Sequence, residues 1–408
     1  MPSSNYDFSA DNGLTRNNLS RDSSDTPNGA PDNDAPNDTL MMQRCCALAA
    51  QAAGRTAPNP LVGSIITQGN DIVGEGFHPK AGEPHAEIFA LKAAGERAKG
   101  GTLYVNLEPC NHTGRTPPCS EAVIAAGIRR VVIGMRDPNL KASGGVERLQ
   151  AAGIAVRVGV EEARCRQLNE AFIHRVKHRH PFGIMKYAMT LDGKIATTTG
   201  HSAWVSGPAS RHQVHQLRRQ CDAVIVGGNT VRLDNPRLTS HGVKGEGVFA
   251  DEVRNPLRVV MSRTLDLPKV ANLWDVEIAP TVVFTQQSTT QTATAQAIAD
   301  GLTTQGVEII RLASLTPQAV TAELYERGAL SVLWECGGTL AAEAITAGAI
   351  QKVWAFIAPK LIGGQTAPSP IGDLGLTHMG KAKPLQRTTL EAIGNDYLLK
   401  GYLAEDEG

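Results

Sequence analysis

The sequence predicts an α/β protein of two domains, and three observations carry that prediction. The chain has 408 residues, enough for two or three cores of ordinary size. Between residues 62 and 158, short β-type runs alternate with helix-type runs, the pattern of a mixed sheet with helices on its faces. After a basic helical stretch at 162–179 and the break at His180-Pro181, strand and helix signals resume and continue to residue 364. The expected divisions are a tail at 1–38, a first domain at 39–180 and a second at 181–408.

Residues 1–38 are rich in Asn, Asp, Ser and Pro and nearly devoid of apolar side chains. Such a segment cannot bury enough surface to offset its ordering entropy, so it is expected to be disordered. Asp38-Thr39 reads as the cap of an Ala-rich amphipathic helix at 40–53 that stops at Gly54. Pro58-Asn59-Pro60 leads into a strand at 62–67, Gly69-Asn70 marks a hairpin turn, and 71–77 is the return strand. Glu83-Pro84 opens a helix at 85–98, with Pro where a missing N–H does no harm. A strand at 102–106 ends at Leu107-Glu108-Pro109-Cys110; a loop follows, and Cys119 opens a helix reaching 126. Strand 131–134, helix 145–152 and strand 155–158 complete the first unit. In the second, strands are expected at 182–189, 223–227, 257–262, 281–285, 307–312, 331–335 and 352–357, with helices at 208–221, 317–327 and 340–347.

Lys+Arg and Asp+Glu balance at 40 each, so no overall charge favours nucleic acid, and a small-molecule enzyme is expected. No apolar run reaches the roughly 18 residues of a membrane span. The seven cysteines are an odd number in a long chain and do not suggest a disulfide framework. Cys45, Cys46, Cys165, Cys221 and Cys336 read as small core residues. A reducing cytoplasm is expected, or a plastid stroma if the source is a plant.

The strongest chemical signal is Pro84-His85-Ala86-Glu87 followed by Pro109-Cys110 and Cys119. A zinc ion held by His85, Cys110 and Cys119 has three protein ligands and a fourth position open to water, the mark of a catalytic site. Glu87 is then the acid/base rather than a ligand. His-x-Glu with Pro-Cys and a second Cys is the signature of zinc deaminases. Helix N-termini at His85 and Cys119 favour the thiolate form. Asn59, between two prolines, is a candidate substrate contact or a turn former.

Lys186 and Glu335 each fall on a strand that reads as buried, which implies a cleft or a mutual partner, because charged groups are almost never buried unpaired. Gly337-Gly338-Thr339 follows a strand and opens a helix, which suits either a phosphate or tight packing. His174, His178 and His180, interleaved with Arg175, Lys177 and Arg179, read as a solvated helix end and linker rather than a phosphate or metal patch.

The chain closely resembles the bifunctional riboflavin-biosynthesis deaminase–reductases of the RibD type. The resemblance covers about residues 40–400 and rests on PNPLVG (58–63), GEGFHPKAGEPHAE (74–87), LEPCNHTGRTPPC (107–119), DPN (137–139), KYAMTLDGKIA (186–196), SAWVS (202–206), TVRLDNPRLT (230–239), ECGGTL (335–340) and APKLIGG (358–364). The eight residues between Cys110 and Cys119 are the spacing of this family.

The resemblance implies a three-layer, cytidine-deaminase-like N-terminal domain and a dihydrofolate-reductase-like α/β C-terminal domain. It implies zinc-dependent deamination of 2,5-diamino-6-(5-phosphoribosylamino)pyrimidin-4-one. NADPH-dependent reduction of the ribosyl side chain follows, giving 5-amino-6-(5-phosphoribitylamino)uracil. Lys186 and Glu335 are implied in the reductase chemistry. Ser202, Arg218, Leu238 and Glu335 match substrate-contacting positions, with Arg218 suited to the phosphate. Ala188, Trp204, Thr230, Asp234 and the segment Gly337, Gly338 and Thr339 match cofactor-contacting ones. A homo-oligomer is expected.

Two departures stand out. His241 occupies a position where many relatives carry Arg, which weakens one expected phosphate contact. The loop after Asp137-Pro138-Asn139 lacks the family's second Pro. The competing readings are a deaminase whose second domain is catalytically silent, a nucleic-acid-editing deaminase, and a structural zinc module. The neutral charge and long C-terminal half disfavour the second, and the lack of a fourth protein ligand disfavours the third.

Overall fold

The computed structural model describes residues 35–113, 117–245 and 247–404. The expected disordered tail lies outside the described residues as far as residue 34. Helix α1 (Ala35–Ala50) begins earlier than the proposed cap, and Asp38 sits inside it, fully buried. Met42, Cys45, Cys46 and Ala49 recur at helical spacing and are buried.

Strands β1 (Gly63–Gln68) and β2 (Asp71–Phe77) form the expected hairpin. Helix α2 (Ala86–Ala94) continues as a 3₁₀ turn to Ala98, and strand β3 (Thr102–Leu107) follows. Then come α3 (Cys119–Ala125), β4 (Arg130–Met135), α4 (Gly145–Ala151), β5 (Ala155–Val158), α5 (Glu162–Leu168) and α6 (Glu170–His178). The five-stranded sheet runs β2-β1-β3-β4-β5, with β3, β4 and β5 parallel. One face packs Met42, Cys45, Ile65, Tyr104 and Cys165 together, and the other packs Ile66, Ala90, Leu103, Val123 and Leu149. Helices thus cover both faces, the expected three layers.

The long helix expected at 162–179 is broken at Asn169. This buried side chain accepts from the Leu61 N–H at 2.8 Å and donates to the Leu61 carbonyl at 2.9 Å, so the break anchors the loop carrying Asn59. His174 also departs from the solvated-face expectation. It is buried, stacked on His178, and hydrogen-bonded to His180 at 3.1 Å.

The second domain opens with β6 (Phe182–Thr190), α7 (Pro208–Gln220), β7 (Ala223–Gly227) and α8 (Gly228–Asp234). It continues with β8 (Leu257–Met261), β9 (Thr281–Gln286), α9 (Ala293–Thr304), β10 (Glu308–Leu312) and α10 (Pro317–Glu326). Next are β11 (Ser331–Trp334), α11 (Gly338–Thr346), β12 (Lys352–Ala358), β13 (Leu385–Ile393) and β14 (Asp396–Leu403). The nine strands are ordered β10-β9-β8-β7-β11-β6-β12-β14-β13. The β13–β14 hairpin and α9 were not expected from sequence. Central strands β6, β7 and β11 are neighbours, which brings the ends of β6 and β11 to one cleft.

Candidate active sites

His85 is the N-cap of α2, Cys110 follows β3 in the loop to α3, and Cys119 is the first residue of α3. Their ligand atoms all lie within 4.8 Å of one another, the one such group of His, Cys, Asp and Glu among the described residues. His85 Nδ1 is 3.2 Å from Cys119 Sγ and 3.6 Å from Cys110 Sγ. Ordinary zinc bond lengths place N and S donors of a tetrahedral ion about 3.6 Å apart. The donor set and its spacing therefore fit zinc. Contact with Cys119, reinforced by His85, pushes the Cys110 thiol down to about 4, while the same contact pushes Cys119 up.

Glu87 is buried two residues beyond His85, and burial raises its pKa. Asn59 Nδ2 lies 3.1 Å from His78 Nε2, and His78 Nδ1 lies 3.0 Å from the Pro84 carbonyl. A proton on Nδ1 satisfies that carbonyl and leaves Nε2 to accept from Asn59. Burial lowers the His78 pKa, in keeping with this neutral tautomer. The Glu108 carboxylate accepts from the N–H groups of Asp137, Gly144 and Val146, which fixes the loop after β4. Gly145 admits no side chain, since a Cβ there would come 1.9 Å from the Pro109 carbonyl. Asn59, His78, His85, Glu87, Asp137 and Asn139 line one cavity of about 1010 Å³. Burial pushes Asp137 up to about 6. His78 and Glu108 were not singled out in the sequence, although both lie inside motifs quoted above; a His shortly before Pro84-His85 and a Glu directly before Pro109-Cys110 were the available signals.

In the second domain the mutual-partner expectation matches the geometry. Lys186 Nζ lies 3.6 Å from Glu335 Oε2. Arg218 from α7 grips the same carboxylate with Nε at 2.5 Å and Nη2 at 2.8 Å, and donates from Nη1 to the Thr239 carbonyl at 3.1 Å. The expected phosphate ligand is thus engaged with Glu335. Burial opposes ionisation of Glu335, but Arg218 and then Lys186 overcome it and hold the pKa at about 2. Burial lowers the Lys186 pKa. Leu238, with φ 52°, is buried next to Thr239.

Ser202 Oγ donates to Asp234 at 3.2 Å, and exposed Trp204 lies under the Arg211 guanidinium at 4.4 Å. Ala188 lies two residues beyond Lys186 on β6, and Thr230 lies in α8. The glycine pair divides its roles. Gly338 packs on the segment 369–372, where a Cβ would come 2.9 Å from the Ser369 carbonyl, whereas Gly337 faces open space. His241 Nδ1 is 2.8 Å from Thr239 Oγ1, and its ring lies 4.1 Å from that of His215.

A family profile described as the RibD C-terminal domain matches residues 181–399. One described as the cytidine and deoxycytidylate deaminase zinc-binding region matches 36–135. The riboflavin biosynthesis protein RibD of Synechocystis sp. is 59% identical over 91% of this chain and 97% of its own. The chain belongs to the RibD family. It carries the zinc-binding deaminase region and the reductase domain together, so it is a bifunctional deaminase and reductase of riboflavin biosynthesis, and a silent second domain is not favoured.

A Thermotoga maritima structure titled diaminohydroxyphosphoribosylaminopyrimidine deaminase/5-amino-6-(5-phosphoribosylamino)uracil reductase is 35% identical with TM-score 0.78, covering 90% of this chain and 99% of that one. Acinetobacter baumannii RibD gives TM-score 0.79 at 33% identity, over 91% and 100% of the two chains. The chloroplastic PYRR protein of Arabidopsis thaliana is 44% identical over 90% of this chain and 61% of its own. No helix among the described residues is long and apolar enough to cross a membrane.

Proposed function

We propose that the first domain, holding zinc through His85, Cys110 and Cys119, hydrolytically removes the 2-amino group of 2,5-diamino-6-(5-phosphoribosylamino)pyrimidin-4-one. The second domain then uses NADPH to reduce the ribosyl group of the product to ribityl, giving 5-amino-6-(5-phosphoribitylamino)uracil. The observation that carries the first step is the one-N, two-S cluster with buried Glu87 next to it. Bound zinc supplies Lewis acidity that makes water nucleophilic near neutral pH. Glu87 takes one proton from the attacking water to the ring nitrogen and then carries the proton of the resulting hydroxyl to the leaving amine, so that water and amine become carbonyl and ammonia. Asn59, oriented by His78, hydrogen-bonds the pyrimidine.

In the second site, bound NADPH would supply the hydride equivalent that reducing C1′ of the ring-opened sugar requires. Lys186, aligned by ionised Glu335, supplies the proton that opening the ring requires. Ser202, Arg218 and Leu238 contact the substrate. Ala188, Trp204, Thr230, Asp234 and Gly337–Thr339 contact the nicotinamide cofactor. Following ammonia release and then NADPH loss on the purified protein tests both steps. Ammonia without NADPH loss, when the deaminated intermediate is supplied, rejects the second.

The chain is also proposed to form a homo-oligomer in a reducing compartment, cytoplasm or plastid stroma. Seven free cysteines support the compartment. The open sheet edge β13, with Leu390 exposed, supports the assembly. Sedimentation velocity tests this, with Leu390→Lys expected to shift the protein towards monomer.

A further inference from the structure

The deaminase pocket is not built by the first domain alone. Among the described residues that line it, Tyr325 comes from the second domain, at the end of α10. The Tyr325 ring lies under the guanidinium of Arg175 at 3.8 Å. Arg175, on α6, also donates from Nη1 to the carbonyls of Tyr325 at 2.8 Å and Ala329 at 3.0 Å. One side chain of the first domain therefore brackets both ends of the second domain's 325–329 loop.

That loop in turn meets the loop carrying Asn59. Gly328 faces the Pro58 ring, and a Cβ on it would lie 3.8 Å from Pro58 Cβ and Cδ. On its other side the Asn59 loop is tied down by Asn169 and Asn106, which bond the Leu61 backbone. Pro58 and Asn59 are thus held between a first-domain clamp and a second-domain wall, and Asn59 holds its hydrogen bond to His78 from there.

We infer that Arg175 and Tyr325 are positioning residues of the deaminase: the 325–329 loop of the reductase domain, pinned by Arg175, forms part of the wall that seats the pyrimidine substrate. Tyr325 and Arg175 both line the cavity, and Arg175 also holds in place the loop it brackets. The inference rests on the deaminase activity proposed above. It assigns a reductase-domain residue to the other domain's substrate affinity, which neither half-reaction requires.

The test measures both half-reactions on the full-length protein and on Tyr325→Ala, Tyr325→Phe and Arg175→Ala. Loosening a substrate-seating wall is expected to raise the deamination KM by roughly tenfold or more with kcat little changed. Reduction of the supplied deaminated intermediate, zinc content and Tm of Tyr325→Ala are expected to stay near wild type. Tyr325→Phe keeps the ring and the backbone carbonyl and is expected to behave as wild type. An unchanged deamination KM in Tyr325→Ala overturns the inference, as does a parallel loss of both half-reactions. Because Arg175→Ala removes two interdomain hydrogen bonds and can destabilise the chain, Tyr325→Ala decides the matter if that variant fails to fold. Wild type that releases no ammonia from the pyrimidine overturns the proposed function together with the inference, an outcome distinct from a KM that does not move.

Discussion

Glu335 keeps its charge where burial alone would neutralise it, because Arg218 and Lys186 face it from two other elements. With its pKa near 2, it stays ionised across the working range and contributes no acid limb to reduction. In Arg218→Ala, burial regains weight, the Glu335 pKa rises, and kcat/KM for reduction is expected to fall on acidification where wild type stays flat. An unchanged profile argues that Lys186 alone holds the charge. Glu87→Gln is expected to lower ammonia release by at least about 10²-fold while zinc content and NADPH oxidation persist, because only proton transfer is removed. The pairing of Lys186 with Glu335 and the clustering of His85, Cys110 and Cys119 were legible in the sequence because a charge on a strand that reads as buried, or a His-x-Glu beside Pro-Cys, has few other uses. Arg218 was expected to face a phosphate, but its grip on Glu335 depends on α7 reaching the residue that follows β11, which no local pattern encodes.

Asp38 shows what an element can hide. It lies within α1 but binds Arg130 of β4 at 2.8 and 2.6 Å, Arg157 of β5 at 3.0 Å and the Tyr104 hydroxyl of β3 at 3.1 Å. In sequence it passed for a helix cap, since a short acidic residue before an apolar run looks the same whether it caps or pairs. Asp38→Ala leaves two guanidiniums facing the gap and is expected to cost about 3 kcal/mol, the low end for a broken buried pair because both arginines still reach water. Urea unfolding followed through the first domain checks this. The β13–β14 hairpin was equally legible in principle, since Gly394-Asn395 joins it as a two-residue turn. It was overlooked because β13 is almost wholly exposed and lacks an apolar face. At the end of α6, burial, then His180 and His178, lower the His174 pKa to about 3. The unfolded chain therefore binds a proton near pH 6.5 that the folded chain takes up only near 3, and stability falls as pH drops through that window, by up to about 1.4 kcal/mol per pH unit. His174→Phe is expected to flatten the acid side of a Tm-versus-pH curve.

At the scale of the whole molecule, two cores sit in two sheets, yet the domains are joined by Arg175 on Tyr325, Arg55 with Glu252 at 2.6 Å, and Lys352 with Glu170 at 2.7 Å. Zinc tests how far these joints carry. The three proposed ligands lie between residues 85 and 119 of the first domain, and Lys186, Glu335 and Arg218 touch none of them in the hydrogen bonds and ion pairs described. Binding to the folded state alone stabilises by mass action, about 4 kcal/mol at a thousandfold excess over Kd. Chelation is therefore expected to abolish ammonia release, lower the melting temperature of the first domain and restore both on zinc addition. NADPH oxidation with the supplied intermediate is expected to continue, because the core of the second domain closes without the metal. If NADPH oxidation is lost with the zinc, the interdomain joints transmit the first domain's unfolding into the second, and the two active sites stand or fall as one cooperative unit.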